Sequence, residues 1–167
     1  MKISVSQESL AQGLGIVSRA VAARSTLPVL SNVLMATDEG RLRLSATDRE
    51  LGITCWFGGH IEEDGSTTVP ARIFSDLVGT LPKDRVEMDL NDRTQTLRVR
   101  CGSSDTEIKC IDAEEFPPMD APDLTGGVPL NVSDLKEMIL QVVFSASADE
   151  ARPVLTGVLV AVEESQI

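Results

Sequence analysis

Tyrosine is absent from these 167 residues, and tryptophan and histidine occur once each, as Trp56 and His60. With only four phenylalanines besides, the core has to be aliphatic, built from Leu, Val and Ile. The single histidine lies beside Gly58-Gly59 and has no local Ser-His-Asp arrangement around it, so it reads as a surface-loop residue. The three cysteines, Cys55, Cys101 and Cys110, form no CxxC pair, and each falls in a strand-like run. Buried reduced thiols are expected, which points to a reducing, cytoplasmic setting; the spacing leaves a Cys101–Cys110 disulfide open. No apolar run approaches the roughly 18–20 residues of a membrane span, and Met1-Lys2 leads straight into an alternating strand with no signal peptide. Positive charge is also short: 15 Lys and Arg face 26 Asp and Glu, a net charge of −11. That balance argues against a protein that coats nucleic acid with its whole surface, and leaves room for a local basic face.

What the chain does have is a long internal repeat. Ile3-Ser4-Val5-Ser6, a helical stretch and Leu27-Pro28-Val29-Leu30-Ser31-Asn32-Val33-Leu34 open it. Leu130-Asn131-Val132-Ser133, a helical stretch and Arg152-Pro153-Val154-Leu155-Thr156-Gly157-Val158-Leu159 repeat the pattern. Ser6 to Ser133 is an offset of 127 and Pro28 to Pro153 an offset of 125, reconciled by one two-residue gap. A period this long signals tandem domains of one fold, not a short-repeat solenoid. The second copy reaches Ile167 at about the point where the first reaches Arg41, so the expectation is one whole domain and the first third of another.

The first domain reads as two β-α-β-β-β halves. Residues 2–5 form a short strand and Ser6 an N-cap, though Ser9 at N3 makes no capping box. Leu10, Leu14, Val17 and Val21 then recur at helical spacing, widened by Ala11 and Ala20, with Gln12, Gly15, Arg19 and Ala23 on other faces. Strands are expected over 29–37, 41–47 and 51–57, with a hairpin turn at Asp38-Glu39-Gly40. In the second half, residues 67–69 form a strand and Pro70-Ala71 opens a helix, Pro suiting the first turn. Its apolar face is Ile73, Phe74, Leu77, Val78 and Leu81, and Pro82 ends it. Strands over 85–90, 96–101 and 106–111 follow. The expected class is α+β, two helices packed on antiparallel sheet.

This domain is expected to span residues 1–120. A linker follows over 121–127, at the end of a Pro-rich stretch and closed by Gly126-Gly127. From Asp105 to Asp123 seven acids face one lysine, so much of the negative charge is local. Residues 128–167 restart the cycle with a strand over 129–132, cap Ser133, a helix over 134–144 bearing Leu135, Met138, Ile139 and Val142, and a strand over 154–162.

These residues resemble a known family. The opening strand-Ser-helix, the phrase Thr26-Leu27-Pro28-Val29-Leu30-Ser31-Asn32-Val33-Leu34, the turn Ala46-Thr47-Asp48-Arg49-Glu50, the helix start Val69-Pro70-Ala71-Arg72 and Glu115-Phe116-Pro117 are similar, in order, to the bacterial sliding clamps. Those are the β subunits of replicative DNA polymerase III, and the likeness covers nearly the whole chain. It implies the DNA-clamp fold: three domains per subunit, and two subunits closed head to tail into a ring with helices lining the hole. It implies a non-catalytic processivity factor without cofactor or metal, encircling duplex DNA. Its implied partners are the replicative polymerase, the clamp loader and repair proteins, docked through short peptide motifs.

Residue by residue, Arg24 and Arg72 match family positions that contact the DNA backbone, and Arg19 and Lys83 are weaker candidates on the same faces. Residues 1–30 carry Lys2, Arg19 and Arg24 against Glu8 alone, a net of +2 in an acidic chain. Arg152 and Leu155 match part of the family's peptide pocket, where an apolar cleft beside a cation suits a linear motif. Two departures stand out. Asp149 and Pro153-Val154 replace a Gln and a Tyr pair that touch DNA in some relatives, and Ser103-Ser104-Asp105-Thr106-Glu107 replaces a basic, aromatic edge that helps pair subunits.

Two other classes compete. An enzyme would draw on His60, on Glu62-Glu63-Asp64 as a cation site, or on Gly13-x-Gly15 as a phosphate loop. The acids read better as a charged turn, and the glycines sit inside a helix without the strand-turn context. An acidic protein-interaction domain with no DNA role rests on net charge alone.

Overall fold

Ser6 follows an alternating strand and precedes an apolar helical stripe, and its hydroxyl accepts the Ser9 backbone N–H at 3.2 Å, satisfying one of the orphan donors of the first helix. In the computed structural model, which describes residues 1–22, 26–119, 123, 125, 127–149 and 151–161, this cap joins β1 (Lys2–Ser6) to α1 (Gln7–Val17). Leu10, Leu14 and Val17 are buried on one side of α1, as their spacing predicts. The helix ends at Val17, and a 3-10 turn, Ser18–Ala20, carries the chain to a half-buried Val21.

The chain continues through β2 (Asn32–Asp38), β3 (Arg41–Thr47), β4 (Gly52–Gly58), β5 (His60–Glu63) and β6 (Ser66–Pro70). After α2 (Ala71–Thr80) come β7 (Arg85–Asn91), β8 (Thr96–Cys101) and β9 (Ser104–Lys109). All pairings are antiparallel, in two sheets of order β5-β1-β7-β8-β9 and β4-β3-β2-β6.

The two halves are interlocked. β1 opens the first half yet pairs with β7 of the second. β6 opens the second half yet pairs with β2 of the first. One aliphatic core therefore draws on both sheets and both helices, from Ile3, Leu10 and Leu14 to Leu44, Phe74, Met88 and Leu97. Each fully buried side chain of this size contributes about 1.5–3 kcal/mol. A smaller cluster gathers Val29, Leu30 and Phe116.

Several local expectations are corrected. Residues 28–31 form a 3-10 turn with Pro28 at its start, and the strand begins only at Asn32. Pro70 ends β6 as the residue capping α2 and is not inside the helix. Ile73 leaves the apolar face: Phe74, Val78 and Leu81 are buried at i, i+4 and i+7, and Ile73, a helical step of ~100° away, is 61% exposed. His60 and Glu62-Glu63 lie in a strand and not in a loop or turn, because β1 offers β5 a free edge. The last strand runs over Ser104–Lys109, while Ile111 forms a bridge to Thr68.

The described chain divides into two compact units, Met1–Asp120 and Ala121–Ile167. In the second unit α3 (Val132–Val142) is capped by Asn131, not Ser133, and a 3-10 turn follows over Val143–Ser145. Its described residues include no strand: 129–131 are irregular, Val132 begins the helix, and Pro153–Leu155 is a 3-10 turn. None of them is buried. Strands of a sheet need partners, and the described residues of this unit offer none. Among the described residues no helix is long and apolar enough to cross a membrane.

Candidate nucleic-acid interface

α1 and α2 pack against each other in the first unit. The Gln7 side chain donates to the Val78 carbonyl at 2.8 Å, and its backbone N–H donates to Asp84 O at 2.9 Å. These bonds join the start of α1 to the end of α2. Arg72 stands in the first turn of α2, and the exposed Arg19 in the 3-10 turn after α1.

The outward sides of both helices are mostly polar or small, with Ile16 and Ile73 exposed among them. Gln12, Gly15, Gly79 and Thr80 are exposed, and a Cβ built on either glycine meets nothing within 4 Å. Glycine inside a helix costs roughly 0.5–1 kcal/mol relative to alanine. Nothing in the packing of this unit requires it at these two places.

Arg72 stands at the positive end of the α2 dipole, where a cation is disfavoured. Its side chain is 94% exposed, and its one ion pair, with Asp76, is long at 4.0 Å. A fully hydrated guanidinium in that position contributes little to the fold and is free to meet an anion. Lys83 Nζ lies 3.0 Å from Glu8 Oε1, tying α2's end to α1's start. Arg19, Arg72 and Lys83 face Glu8, Asp76 and Asp84, so this layer is neutral in a chain of −11. The Glu8–Lys83 pair, far apart in sequence, was not readable there. Arg24 lies outside the described residues.

In the second unit, Arg152 and Leu155 share one turn: Leu155 N–H donates to Arg152 O at 3.0 Å. Leu155 is 46% exposed and is not strand core. Asp149, the residue that departs from the family, lies 3.6 Å from the Arg152 guanidinium and offsets its charge.

Further ion pairs lie on the strands of the five-stranded sheet. Arg98 makes a forked pair with Asp105, its Nε donating at 2.8 Å, and this guanidinium holds the Asp105 carboxyl below the usual carboxylate range. Lys2 does the same for Glu62 at 2.6 Å. Glu62 is thus engaged in an ion pair, and no group of three or more His, Cys, Asp or Glu able to hold a metal occurs among the described residues. Cys55, Cys101 and Cys110 are free thiols, each pushed up chiefly by burial, away from the reactive thiolate form.

The arrangement is a helical layer, neutral in an acidic chain, that presents an unburied Arg72. The model of the DNA polymerase III beta subunit, N-terminal domain, matches residues 1–120. The beta sliding clamp of Synechococcus elongatus is 40% identical over 161 residues, and that of Streptomyces coelicolor 34% over 168. These alignments cover 95% and 100% of this chain but only 42% and 44% of those relatives. The solved sliding clamp of Bartonella birtlesii bound to griselimycin superposes with a TM-score of 0.82 at 31% identity, over 91% of this chain and 41% of that one. The chain therefore belongs to the DNA polymerase III beta subunit, or beta sliding clamp, family.

Proposed function

We propose that this chain is part of a bacterial DNA sliding clamp, a processivity factor that encircles duplex DNA and tethers the replicative polymerase in the cytoplasm. Residues 1–120 are one whole clamp domain, 121–127 a linker, and 128–167 the opening third of a second domain. The longer protein forms a head-to-tail dimeric ring and catalyses no reaction. The observation that carries this reading is the α1–α2 layer, neutral and bearing a fully hydrated Arg72 in an acidic chain of this family.

Phosphates are attracted to such a layer without base readout, and loose contacts suit movement along the duplex. Arg72 and Arg24 meet backbone phosphate there. An acidic outer surface limits attachment of nucleic acid elsewhere. In the second unit Arg152 and Leu155 form the first wall of a pocket for short peptide motifs of the polymerase, the clamp loader and repair proteins. The Bartonella relative's capacity to bind griselimycin supports a ligand pocket in such clamps.

The test is a salt titration of sequence-independent DNA binding by the longer ring-forming protein. Each phosphate contact contributes about −0.9 to the slope of log K against log salt, so Arg24→Ala with Arg72→Ala should flatten it by up to about two units. Equal binding by the double variant at low salt would remove these arginines from the interface.

A further inference from the structure

Helix α2 carries two charges, Arg72 and Asp76, and no others. With Gly79 and Thr80 they recur at i, i+4, i+7 and i+8, so all four lie on one exposed stripe of the helix. The core side of α2, at Phe74 and Val78, is fully buried. Both charges therefore stand in solvent on the outward side of the helical layer, and neither takes part in the packing.

We propose that Asp76 is an affinity-limiting residue of the duplex interface: its carboxylate holds the Arg72 guanidinium until a backbone phosphate displaces it. This rests on the reading that Arg72 meets phosphate. Three observations carry it. First, helix physics gives Asp76 no reason to be where it is. Aspartate is a poor helix former in a helix interior. Asp76 lies beyond the first turn of α2, where an acid would favour the dipole and where none occurs. Its side chain is 75% exposed, and Arg72 is its one partner among the described residues.

Second, the pair parts easily. Arg72 Nε lies 4.0 Å from Asp76 Oδ2, beyond hydrogen-bond reach, and the base precedes the acid, the weaker order for an i, i+4 pair. The other ion pair of the layer differs on each point. Lys83 Nζ and Glu8 Oε1 are 3.0 Å apart and tie two elements together, and Glu8 stands in the first turn of α1, where the dipole favours an acid. Glu8 has a structural reason for its place, and Asp76 has only Arg72.

Third, the two anions compete for one group. Residues four apart on a helix face are about 5–6 Å apart at Cβ, so a phosphate that reaches the Arg72 fork meets the site the Asp76 carboxylate already shares. Contact with the duplex is then an exchange of carboxylate for phosphate, not a free gain of one ion pair. An exchange of that kind leaves each contact weak and readily reversed, which suits sequence-independent movement along a duplex.

The test is binding of short linear duplex by the longer ring-forming protein at fixed low salt, read as a double-mutant cycle of Asp76→Asn and Arg72→Ala. Asp76→Asn should tighten binding about two- to fivefold, the range of an exposed ion pair, and Asp76→Glu, which keeps the charge, should bind as the unaltered protein does. In the Arg72→Ala background most of the Asp76→Asn gain should vanish. Glu39→Gln, at an exposed acid on the β2–β3 turn, reports the effect of net charge alone and should change binding little. No gain from Asp76→Asn, an equal gain in both backgrounds, or a gain matched by Glu39→Gln would each overturn the inference and leave the phosphate reading of Arg72 standing. Binding unaltered by Arg72→Ala alone would overturn that reading, and this inference with it.

Discussion

A Cβ placed on Gly13 would lie 2.6 Å from Cε1 of Phe57 and 3.2 Å from Cδ1 of Leu44, while one placed on Gly15, a half-turn on, would meet nothing within 4 Å. The two glycines of one helix therefore have opposite roles. Gly13 lets α1 lie directly on β4, and Gly15 faces outward.

Substitution of these two glycines should move stability in opposite directions. Gly15→Ala gains helix propensity without contact and should stabilise by about 0.5–1 kcal/mol. Gly13→Ala gains the same propensity but overpacks the core, and should destabilise by a net ~1–2 kcal/mol. Urea unfolding of both variants checks the signs. A stabilised Gly13→Ala would contradict the close packing of α1 on β4.

The Arg98–Asp105 pair makes an acid-side prediction. Arg98 depresses the folded-state titration of Asp105, so the pair's contribution is fully present above the ordinary carboxylate value of about 4 and is lost as pH falls through the lower folded value. Arg98→Ala should return the Asp105 titration toward that ordinary value and flatten the acid limb of the stability curve. The Asp105 side chain is exposed, so the change in stability should be small and reduced further by salt. NMR titration of the Asp105 carboxyl in both proteins is the measurement.

Much of the first unit was legible because its elements are set locally. The Leu10, Leu14, Val17 stripe and the Ser6 cap are each written in nearby residues and appear as expected, whereas the alternation of Arg41–Thr47 holds only over its first half, since Ser45 and Thr47 are buried with Leu44 and Ala46. The turn at Glu39 and Gly40, both at positive φ (47° and 75°), likewise follows from Asp38-Glu39-Gly40. What was not legible depends on distant partners. β5 has one apolar residue, Ile61, and is a strand only because β1 pairs with it. Nothing near β1 or β6 announces that each joins the other half's sheet. At the helical layer, Arg72 could be placed from sequence on its helix, but Ile73 could not be told from the core residues beside it. The resemblance to sliding clamps supplied what spacing could not, a proposed role for a cation at the wrong end of a helix dipole.

Sheet edges give a third prediction. β5 is short and acidic, β9 carries Asp105, Glu107 and Lys109, and β6 is bridged by Ile111 at Thr68. β4 pairs on one side with β3, runs seven residues and carries no charge, with a half-exposed Trp56. An uncharged open edge invites another strand. The isolated chain should therefore self-associate as concentration rises, and Thr54→Lys should suppress this at a cost of about 1 kcal/mol for the lost Ser45–Thr54 hydroxyl contact. Sedimentation analysis of both proteins across a concentration series would decide it. Unchanged association in Thr54→Lys would place the contact elsewhere.

The central claim is that this chain belongs to a ring that holds duplex DNA by encircling it, with the α1–α2 layer toward the duplex. It is tested most directly by loading the longer protein onto closed circular duplex and then cutting the circle once at physiological salt. Topological retention predicts stable association with the closed circle and prompt loss from the cut, linear form. Equal retention on both would show that attraction to phosphate, not enclosure, holds the protein on DNA, and would contradict the account.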